Sequence, residues 1–280
     1  MMPGTLTLVG TPIGNLGDFS PRARRALEEA DFIAAEDTRV TLRLLNYFGI
    51  KKPLVSYFEH NKYQSGDKIL QRILAGENCA LVTDAGMPAV SDPGEELVAL
   101  CAREGVAVTA VPGPSAVVTA VALSALPAGR FTFEGFLSTS GRSRREHLES
   151  LKGERRTMIF YEAPHKLRRT LADLRDAFGA ERRAALCREM TKLHEEVIRT
   201  TLGEAAELYT EENPPRGEFA IVIAGAPEDA AGAVTPEAAL ALVNEYRAGG
   251  MSLKEACRHA AEKTGLKKNE LYDLAVNTPI

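Results

Sequence analysis

The sequence predicts an α/β protein with two α/β domains and a small C-terminal helical tail. Segments typical of β-strands alternate with amphipathic helices through most of the chain, an order that favours parallel sheet. At 280 residues the chain is long for one core, so two domains are expected. A stretch with proline and glycine at 126–130 coincides with a change in the sign of the charge and marks the boundary between them.

The first domain is predicted to contain five strands joined by helices. Four strands can be located, at 5–9, 32–35, 79–82 and 106–111. Helices are predicted at 21–30, 40–48, 67–75, 94–103 and 114–124. Ser20 and Pro21 are a typical N-cap and first helical residue, whereas Gly49 and Gly76 follow their helices where a left-handed residue is favoured.

The second domain and the tail continue the pattern. Its strands are predicted at 131–136, 157–161, 184–188, 197–201 and 219–224, and its helices at 143–151 and 165–178. In the tail, Thr235 caps a helix that reaches about 247, Ser252 and Glu255 form a capping box, and a last helix follows at 268–276. The predicted domains are therefore 1–126, 127–226 and 234–280, the last resembling a helix-turn-helix. Its equal numbers of acidic and basic residues favour packing or an auxiliary RNA contact over DNA groove reading.

Composition predicts an ordinary globular protein of the cytoplasm. Hydrophobic residues make up 45% and charged residues 26% of the chain, and no apolar run approaches the roughly 18 residues that a membrane span needs. The N-terminal residues lack the pattern of a signal peptide. The four cysteines are scattered, and the five histidines lack metal-ligand spacing, so reduced thiols and no catalytic metal are expected.

The charge is distributed unevenly along the chain. Residues 129–200 hold 16 Lys and Arg against 11 Asp and Glu, so this segment carries +5 and the rest −9 of a net charge of −4. One interpretation is a docking surface for a polyanion, built from the first arginine cluster, Arg142, Arg144 and Arg145, and its neighbours. The alternative is a solvated helix face with partners four residues away, such as Arg145 and Glu149.

Four loops at the carboxyl ends of the predicted parallel strands are candidates for the functional site, since open α/β sheets bind their ligands there. They are 10–17, 36–39, 83–94 and 112–116. The glycine spacing in 10–17 does not fit a dinucleotide fold, and no P-loop motif is present. Each loop taken alone could equally be a tight turn.

The loop at 83–94 suits an uncharged or cationic ligand. Pro88 and Pro93 remove backbone N–H donors that a phosphate would need. Asp84 and Asp92 add carboxylates that suit hydroxyls, amines or a sulfonium.

Taken together, the motifs resemble those of the tetrapyrrole-methylase superfamily of S-adenosylmethionine-dependent methyltransferases. The motifs in the first domain are 10–15 (GTPIGN), 35–39 (AEDTR), 83–88 (TDAGMP), 91–94 (SDPG) and 111–116 (VPGPSA). Those in the second are 133–137 (FEGFL), 160–166 (FYEAPHK), 188–192 (REMTK) and 217–219 (GEF). The resemblance covers residues 5–225 and is closest to the branch that methylates a cytidine ribose 2′-hydroxyl in 16S ribosomal RNA.

The resemblance implies a class III methyltransferase fold, with S-adenosylmethionine in a cleft between the two α/β domains, a homodimer, and the small ribosomal subunit as partner. It also implies the cofactor contacts, which are Pro12, Asp84, Ala85, Gly86, Met87, Pro88, Ser91, Pro112, Gly113, Ser115, Ala116, Tyr161, Glu162, Met190, Phe219, Ala220 and Ile221.

Methylation of a ribose hydroxyl needs a proton acceptor or a positive group near the developing alkoxide. Glu36, Asp37 and Arg39 are the catalytic candidates, although a helix cap or a salt bridge at the end of the strand is an equally good interpretation. Candidate substrate contacts are Asn15, Arg142, Arg144, Arg145, His165, Lys166 and Lys192.

Three functions remain open at the level of sequence. The arginine clusters and the motif at 36–39 favour an RNA ribose methyltransferase over a methyltransferase acting on a corrin precursor or another small molecule. The intact cofactor motifs disfavour a ribosome-assembly protein without catalytic turnover.

Overall fold

The described part of the chain contains two five-stranded sheets and a group of three C-terminal helices. The computed structural model describes residues 2–227, 236–264 and 266–277. These residues fall into two compact units, one within 1–151 and 156–224 and the other within 152–155 and 225–280. Both sheets belong to the first unit, and the predicted boundary at 126–130 falls between them. The predicted α/β class with a helical tail is confirmed.

The first sheet is entirely parallel. Its strands are β1 (Thr5–Val9), β2 (Phe32–Ala35), β3 (Leu54–Ser56), β4 (Cys79–Val82) and β5 (Ala107–Val111). They lie in the order β3-β2-β4-β1-β5, with Leu6 opposite Cys79 and Val9 opposite Val111. Since every strand points the same way, the loops that follow β1, β2, β4 and β5 meet at one edge.

Helices cover both faces of this sheet, which explains why β2 and β4 are apolar at every position. Alternate residues of β2 belong to two different cores. Phe32 packs on one face with Ile69 and Leu97, whereas Ile33 packs on the other with Leu27. The helices are α1 (Pro21–Glu29), α2 (Thr38–Phe48), α3 (Lys62–Leu74), α4 (Glu95–Arg103) and α5 (Ala116–Leu123).

The ends of these helices confirm the capping residues predicted from the sequence. The Ser20 side chain accepts a hydrogen bond from the backbone N–H of Ala23, with Pro21 as the first helical residue. Gly49 and Gly76 adopt left-handed backbones, with φ of 70° and 103°.

Two features differ from the sequence-based prediction. The fifth strand, β3, is three residues long and was not located. Helix α3 begins at Lys62, five residues before its predicted start, because Gly66 lies buried under the ring of Tyr57 and continues the helix.

The second sheet is mixed. Its strands are β6 (Phe131–Phe136), β7 (Thr157–Glu162), β8 (Arg183–Arg188), β9 (Glu196–Thr201) and β10 (Phe219–Ile223), in the order β6-β7-β10-β8-β9. Only β6 and β7 pair in parallel among these neighbours. The accompanying helices are α6 (Gly141–Ser150), α7 (Pro164–Phe178) and α8 (Leu202–Leu208). Helix α8 was not predicted, although Thr201 and Glu204 form a capping box at its start.

Helix α5 connects the two sheets by packing. One face of the second sheet packs against α7 through residues such as Phe160 and Leu171. The other face packs against α5, where Ala120 and Val121 contact the layer that contains Val222. Consequently the loop that precedes α5 is held beside the start of β10.

The second compact unit contains α9 (Pro236–Ala248), α10 (Leu253–Thr264) and α11 (Lys268–Asn277). Val243, Cys257 and Leu271 belong to its own small core. The predicted capping box is present, since the Ser252 hydroxyl accepts from the backbone N–H of Glu255 over 3.4 Å and the Glu255 carboxylate accepts from the backbone N–H of Ser252 over 3.3 Å. The predicted cap at Thr235, the predicted domain start at 234 and Gly265 lie outside the described residues.

Among the described residues, no helix has the length and apolar character needed to cross a membrane. The four cysteines are buried and unbridged. Burial raises the pKa of Cys79 to about 12 and those of Cys101 and Cys187 to about 11, which keeps these thiols protonated.

The close approach of two loops at Gly10 and Gly113 generates the first prediction. A Cβ atom on Gly113 would lie 2.8 Å from the Cα and 2.9 Å from the carbonyl carbon of Gly10, so the backbone must move to accept it. Gly113→Ala should therefore lower the free energy of unfolding by about 1–3 kcal/mol, measured by urea denaturation. Gly129→Ala is the control, because nothing lies within 4 Å of its added Cβ, and equal effects of the two substitutions would contradict the prediction.

Candidate active site

A cavity of about 290 Å³ opens at the carboxyl edge of the first sheet, between this sheet and the second. We call it the central cavity. The loops after β1, β4 and β5 form one wall, and β7, β10 and the turn after β8 form the other. The lining residues are Ile13, Ala85, Gly86, Met87, Val90, Ser91, Asp92, Ser115, Ala116, Val117, Phe136, Tyr161, Glu162, Ala163, Glu189, Met190, Lys192, Glu218, Phe219 and Ala220.

Backbone hydrogen bonds fix the two loops of the first wall. Thr11 and Gly86 exchange N–H···O bonds of 2.9 and 3.2 Å. The Thr11 hydroxyl is buried and donates to the carbonyl of Thr83 over 3.1 Å. These hydrogen bonds join the loops after β1 and β4, so this part of the first wall is rigid.

The second wall includes a strained turn at 189–192. Glu189 and Thr191 have left-handed backbones, with φ of 50° and 66°, which is uncommon for residues other than glycine. Lys192 stabilises the turn, since its Nζ lies 2.8 Å from Glu189 and 3.1 Å from Glu218. Burial opposes the charge of Lys192, but these hydrogen bonds raise its pKa on balance. The turn thus holds a cation at the cavity.

Aromatic rings close one side of the central cavity. The ring of Tyr161 packs edge-on against Phe133 and Phe136, with centroids 4.9 and 5.6 Å away. Burial raises the pKa of Tyr161 to about 12, so its hydroxyl stays neutral.

Three carboxylates surround Thr83 at the end of β4, and we call Glu36, Asp84 and Asp92 the acidic row. The Thr83 hydroxyl donates to Glu36 over 2.5 Å, and Asp84 accepts from the backbone N–H of Asp37 over 3.1 Å. Burial raises the pKa of Asp92 to about 6, and burial also raises the pKa of Asp84. Of the acidic row, Asp92 is the member that lines the central cavity.

Asp37 and Arg39 form a helix cap and a salt bridge, which is the alternative to catalysis that the sequence left open. Asp37 is the N-cap of α2 and accepts from the backbone N–H of Arg39 over 2.8 Å. The guanidinium of Arg39 donates to the same carboxylate, which lowers the pKa of Asp37 to about 2. The Arg39 side chain is nevertheless 84% exposed, so it remains open to a ligand.

Arg144 differs from the arginines beside it in sequence. It is buried, and it donates to Asp173 over 2.6 Å and to the hydroxyl of Thr170 over 2.8 Å. Thr170 in turn donates to Glu162 over 2.5 Å, and Glu162 lines the central cavity. Arg144 therefore supports the cavity wall from behind, whereas Arg142 and Arg145 are exposed.

Most of the predicted cofactor residues come together at the central cavity. Those that line it are Ala85, Gly86, Met87, Ser91, Ser115, Ala116, Tyr161, Glu162, Met190, Phe219 and Ala220. Those that do not line it are Pro12, Asp84, Pro88, Pro112, Gly113 and Ile221. Ile221 points into the core beneath β10, and Pro12 and Asp84 line a neighbouring cavity.

The predicted substrate and catalytic residues are more dispersed. Lys192 lines the central cavity, whereas the remaining candidates lie away from its lining, namely Asn15, Arg142, Arg144, Arg145, His165, Lys166, Glu36, Asp37 and Arg39. Asn15 caps a short 3-10 turn by accepting from the backbone N–H of Gly17.

Several lining residues are not among the predicted cofactor and substrate contacts. Asp92 is one of them, although its carboxylate is identified from the sequence as suited to a hydroxyl, an amine or a sulfonium. Glu189 and Glu218 belong to motifs that the resemblance covers, and they come together only through the turn that follows β8.

Comparison with known proteins agrees with this architecture. A family model described as Tetrapyrrole (Corrin/Porphyrin) Methylases matches residues 5–206, and one described as RsmI C-terminal HTH domain matches residues 233–277. A protein of Synechocystis sp. named Ribosomal RNA small subunit methyltransferase I is 46% identical over 98% of both chains. The protein of that name from Pseudomonas aeruginosa is 44% identical over 99% of this chain and 98% of its own. The resemblance predicted from the motifs is confirmed.

Solved structures share the fold. A diphthine synthase superposes with a TM-score of 0.60 at 16% identity, covering 79% of this chain and 90% of its own. The uroporphyrin-III C-methyl transferase from Thermus thermophilus, complexed with S-adenyl homocysteine, superposes with a TM-score of 0.54 at 20% identity, covering 78% and 97%.

The buried position of Arg144 predicts a large effect on stability. Arg144→Met should lower the free energy of unfolding by about 3 kcal/mol, because it removes the buried guanidinium that donates to both Asp173 and Thr170 and leaves Asp173 with the more distant Arg169, 3.8 Å away. Arg142→Met is the matched control, since Arg142 and its partner Glu146 are exposed and such pairs contribute about 0–1 kcal/mol. Urea denaturation of both variants checks this expectation. Similar midpoints for the two variants would contradict it.

The raised pKa of Asp92 predicts a pH-dependent stability. The folded carboxyl holds its proton more tightly than the unfolded one, so its contribution is full below pH 4 and is lost as the pH rises through about 6. Asp92→Asn cannot ionise. Its gain in stability over the wild type should therefore be larger at pH 7.5 than at pH 4.5, by thermal or urea unfolding. An equal gain at both values would show that Asp92 titrates normally.

Proposed function

Because the chain belongs to the tetrapyrrole methylase family, we propose that it transfers a methyl group from S-adenosylmethionine to the ribose 2′-hydroxyl of a cytidine in the 16S RNA of the small ribosomal subunit. The observation that carries this proposal is identity of 44–46% with proteins named Ribosomal RNA small subunit methyltransferase I over at least 98% of this chain. The basic segment at 129–200, with a charge of +5, supports a polyanionic substrate.

The central cavity fits S-adenosylmethionine in chemistry. Its walls are small or apolar at Ala85, Gly86, Met87 and Ala116, where backbone groups can read an adenine or a methionine tail. Its charged lining residues are four carboxylates and Lys192, a set that favours a positive sulfur over a phosphate. We assign the predicted cofactor contacts that line this cavity to S-adenosylmethionine. When bound, the cofactor supplies an activated methyl group.

The predicted contacts that do not line the cavity support it indirectly. Gly113 and Pro112 shape the loop before α5, and Pro12 and Asp84 flank lining residues in their loops. Pro88 and Ile221 are buried next to lining residues. Their contribution is to fix the backbone that the cofactor meets.

The acidic row provides the proton chemistry. An effective acceptor has a pKa near the working pH, which favours Asp92 at about 6 over Asp37 at about 2. The hydroxyl of Thr83 donates its single proton to Glu36 over 2.5 Å. In this proposal Asp92 receives the proton of the ribose hydroxyl, and Glu36 holds Thr83 in place.

Cations position the RNA. Arg39 is exposed at the carboxyl edge of the first sheet and is held by Asp37, which suits contact with a phosphate. Lys192 lies in the cavity wall and stabilises developing negative charge on the ribose oxygen. Arg142, Arg145, His165 and Lys166 provide the outer docking surface, and Asn15 remains a candidate substrate contact.

Three further properties are proposed from the resemblance stated above. We propose that the protein acts in the cytoplasm, where its ribosomal substrate is found. We propose a homodimer. The tail at 234–280 is proposed as an auxiliary RNA contact.

The proposal predicts a specific product. Purified protein incubated with methyl-labelled S-adenosylmethionine and small ribosomal subunits from a strain lacking the enzyme should label one cytidine 2′-oxygen in 16S RNA, mapped by nuclease digestion and mass spectrometry. No label on ribose would refute the proposal. Label on a corrin precursor supplied in parallel would support the small-molecule alternative.

Variants in the same assay distinguish chemistry from folding. We expect kcat to fall at least about ten-fold in each of three variants, Asp92→Asn, Glu36→Gln and Arg39→Gln. For Glu36→Gln and Arg39→Gln, the affinity for S-adenosylhomocysteine should change little. Arg25→Gln, an exposed arginine of α1, is the control for loss of charge alone.

A further inference from the structure

A second cavity lies beside the central cavity, and we call it the side cavity. Its volume is about 390 Å³, in the range of small-ligand sites. Pro12, Gly14 and Asp84 line it from the loops after β1 and β4, and Thr41, Leu44 and Tyr47 line it from α2. Of the predicted cofactor contacts, Pro12 and Asp84 line it, but a cofactor in the central cavity does not account for this space.

The two cavities are separated by a single thickness of chain. Ile13 lines the central cavity, whereas Pro12 and Gly14 on either side of it line the side cavity. Likewise Ala85 lines the central cavity and Asp84 the side cavity. The Thr11–Gly86 hydrogen bonds hold these two loops together. One ligand can therefore extend over the loops and enter both cavities.

An unpartnered hydroxyl marks the side cavity as a binding site. Thr41 lines the cavity and is 3% exposed, and its Oγ1 has no hydrogen-bond partner among the residues that the structure describes. The carbonyl of Asp37, one turn earlier, accepts from the Thr41 backbone N–H over 3.0 Å. A buried hydroxyl without a partner reduces stability, so its retention here fits a ligand that completes the bond.

The walls of the side cavity suit a flat, partly polar ring. Val40 and Leu44 are aliphatic, and the Tyr47 ring is 67% exposed at the opening. The polar residues in its lining are Thr11, Thr41, Arg43, Thr83 and Asp84, of which Arg43 is the cation and Asp84 the carboxylate. A carboxylate accepts hydrogen bonds from an exocyclic amine, as it does from the amino group of cytosine, and it disfavours a phosphate.

We propose that the side cavity receives the base of the target nucleotide, an amino-bearing pyrimidine, rotated out of the RNA while its ribose lies at the central cavity. Enzymes that act on nucleotides in this way hold the rotated base by stacking and by hydrogen bonds to its pairing edge. Tyr47 provides the stacking surface, and Thr41 and Asp84 form hydrogen bonds with the pairing edge of the base. This inference rests on the function proposed above.

The test uses two substitutions in the full chain. Thr41→Val removes the hydroxyl and should lower kcat/KM on small ribosomal subunits about ten-fold, with an unchanged or higher Tm and an unchanged affinity for S-adenosylhomocysteine. Tyr47→Ala should lower kcat/KM by a similar factor, since stacking on an aromatic ring is lost.

Matched controls separate binding from folding. Within the described part of the chain, the Thr132 Oγ1 is also buried without a partner. Thr132 does not line the side cavity, so Thr132→Val should leave kcat/KM unchanged. Tyr63 is 72% exposed on α3, so Tyr63→Ala matches Tyr47→Ala in exposure.

The outcomes are distinguishable. Slower methylation by Thr41→Val and Tyr47→Ala, with both controls at the wild-type rate, supports the inference. A wild type that methylates the subunits, with Thr41→Val and Tyr47→Ala equally active, overturns this inference alone. A wild type that does not methylate the subunits overturns the proposed function and this inference with it.

Discussion

The backbone contact between the loops after β1 and β5 is the constraint on which the site depends. Gly10 and Gly113 approach so closely that neither can carry a side chain without displacing the other. The neighbouring Thr11–Gly86 hydrogen bonds then attach the loop after β4. Because β1 lies between β4 and β5 in a parallel sheet, all three loops leave the same edge, and these contacts combine them into one rigid wall. Both cavities are shaped by this wall.

Burial of charge is the second organising feature. Arg144 is buried in the second half of the first unit, where Asp173, Thr170 and Glu162 satisfy its guanidinium directly or through one hydroxyl. A buried ion pair adds little net stability, yet loss of one partner is costly, so such networks fix geometry. Here the network fixes Glu162 at the cavity wall. In the acidic row, burial instead raises the pKa of Asp92 to about 6, so its carboxyl gains or loses a proton near that pH.

The sequence predicted the features that depend on local chemistry. Ser20, Gly49 and Gly76 act through their own turns, so the ends of their helices could be placed from the sequence. Strand β3 and helix α8 are short and carry little periodicity of their own, and they were missed. Arg144 could not be separated from its exposed neighbours, because its burial depends on α7, which contributes Asp173 and Thr170. The unpaired hydroxyl of Thr41 likewise depends on loops distant in the sequence.

Charge and shape have different roles in recognition of RNA. Within residues 129–200, several cations have nearby acidic partners, such as Arg188 with Glu196 and Arg142 with Glu146, but pairing cancels equal charges and leaves the excess of +5 intact. Such an excess attracts any RNA and acts through phosphates, which carry no sequence information. Selection of one nucleotide therefore requires protein groups that contact its base or its ribose at fixed positions. The rigid wall with its two adjacent cavities provides such positions. In the proposed function, the basic segment at 129–200 therefore contributes affinity for RNA, and groups along this wall select the nucleotide that reacts.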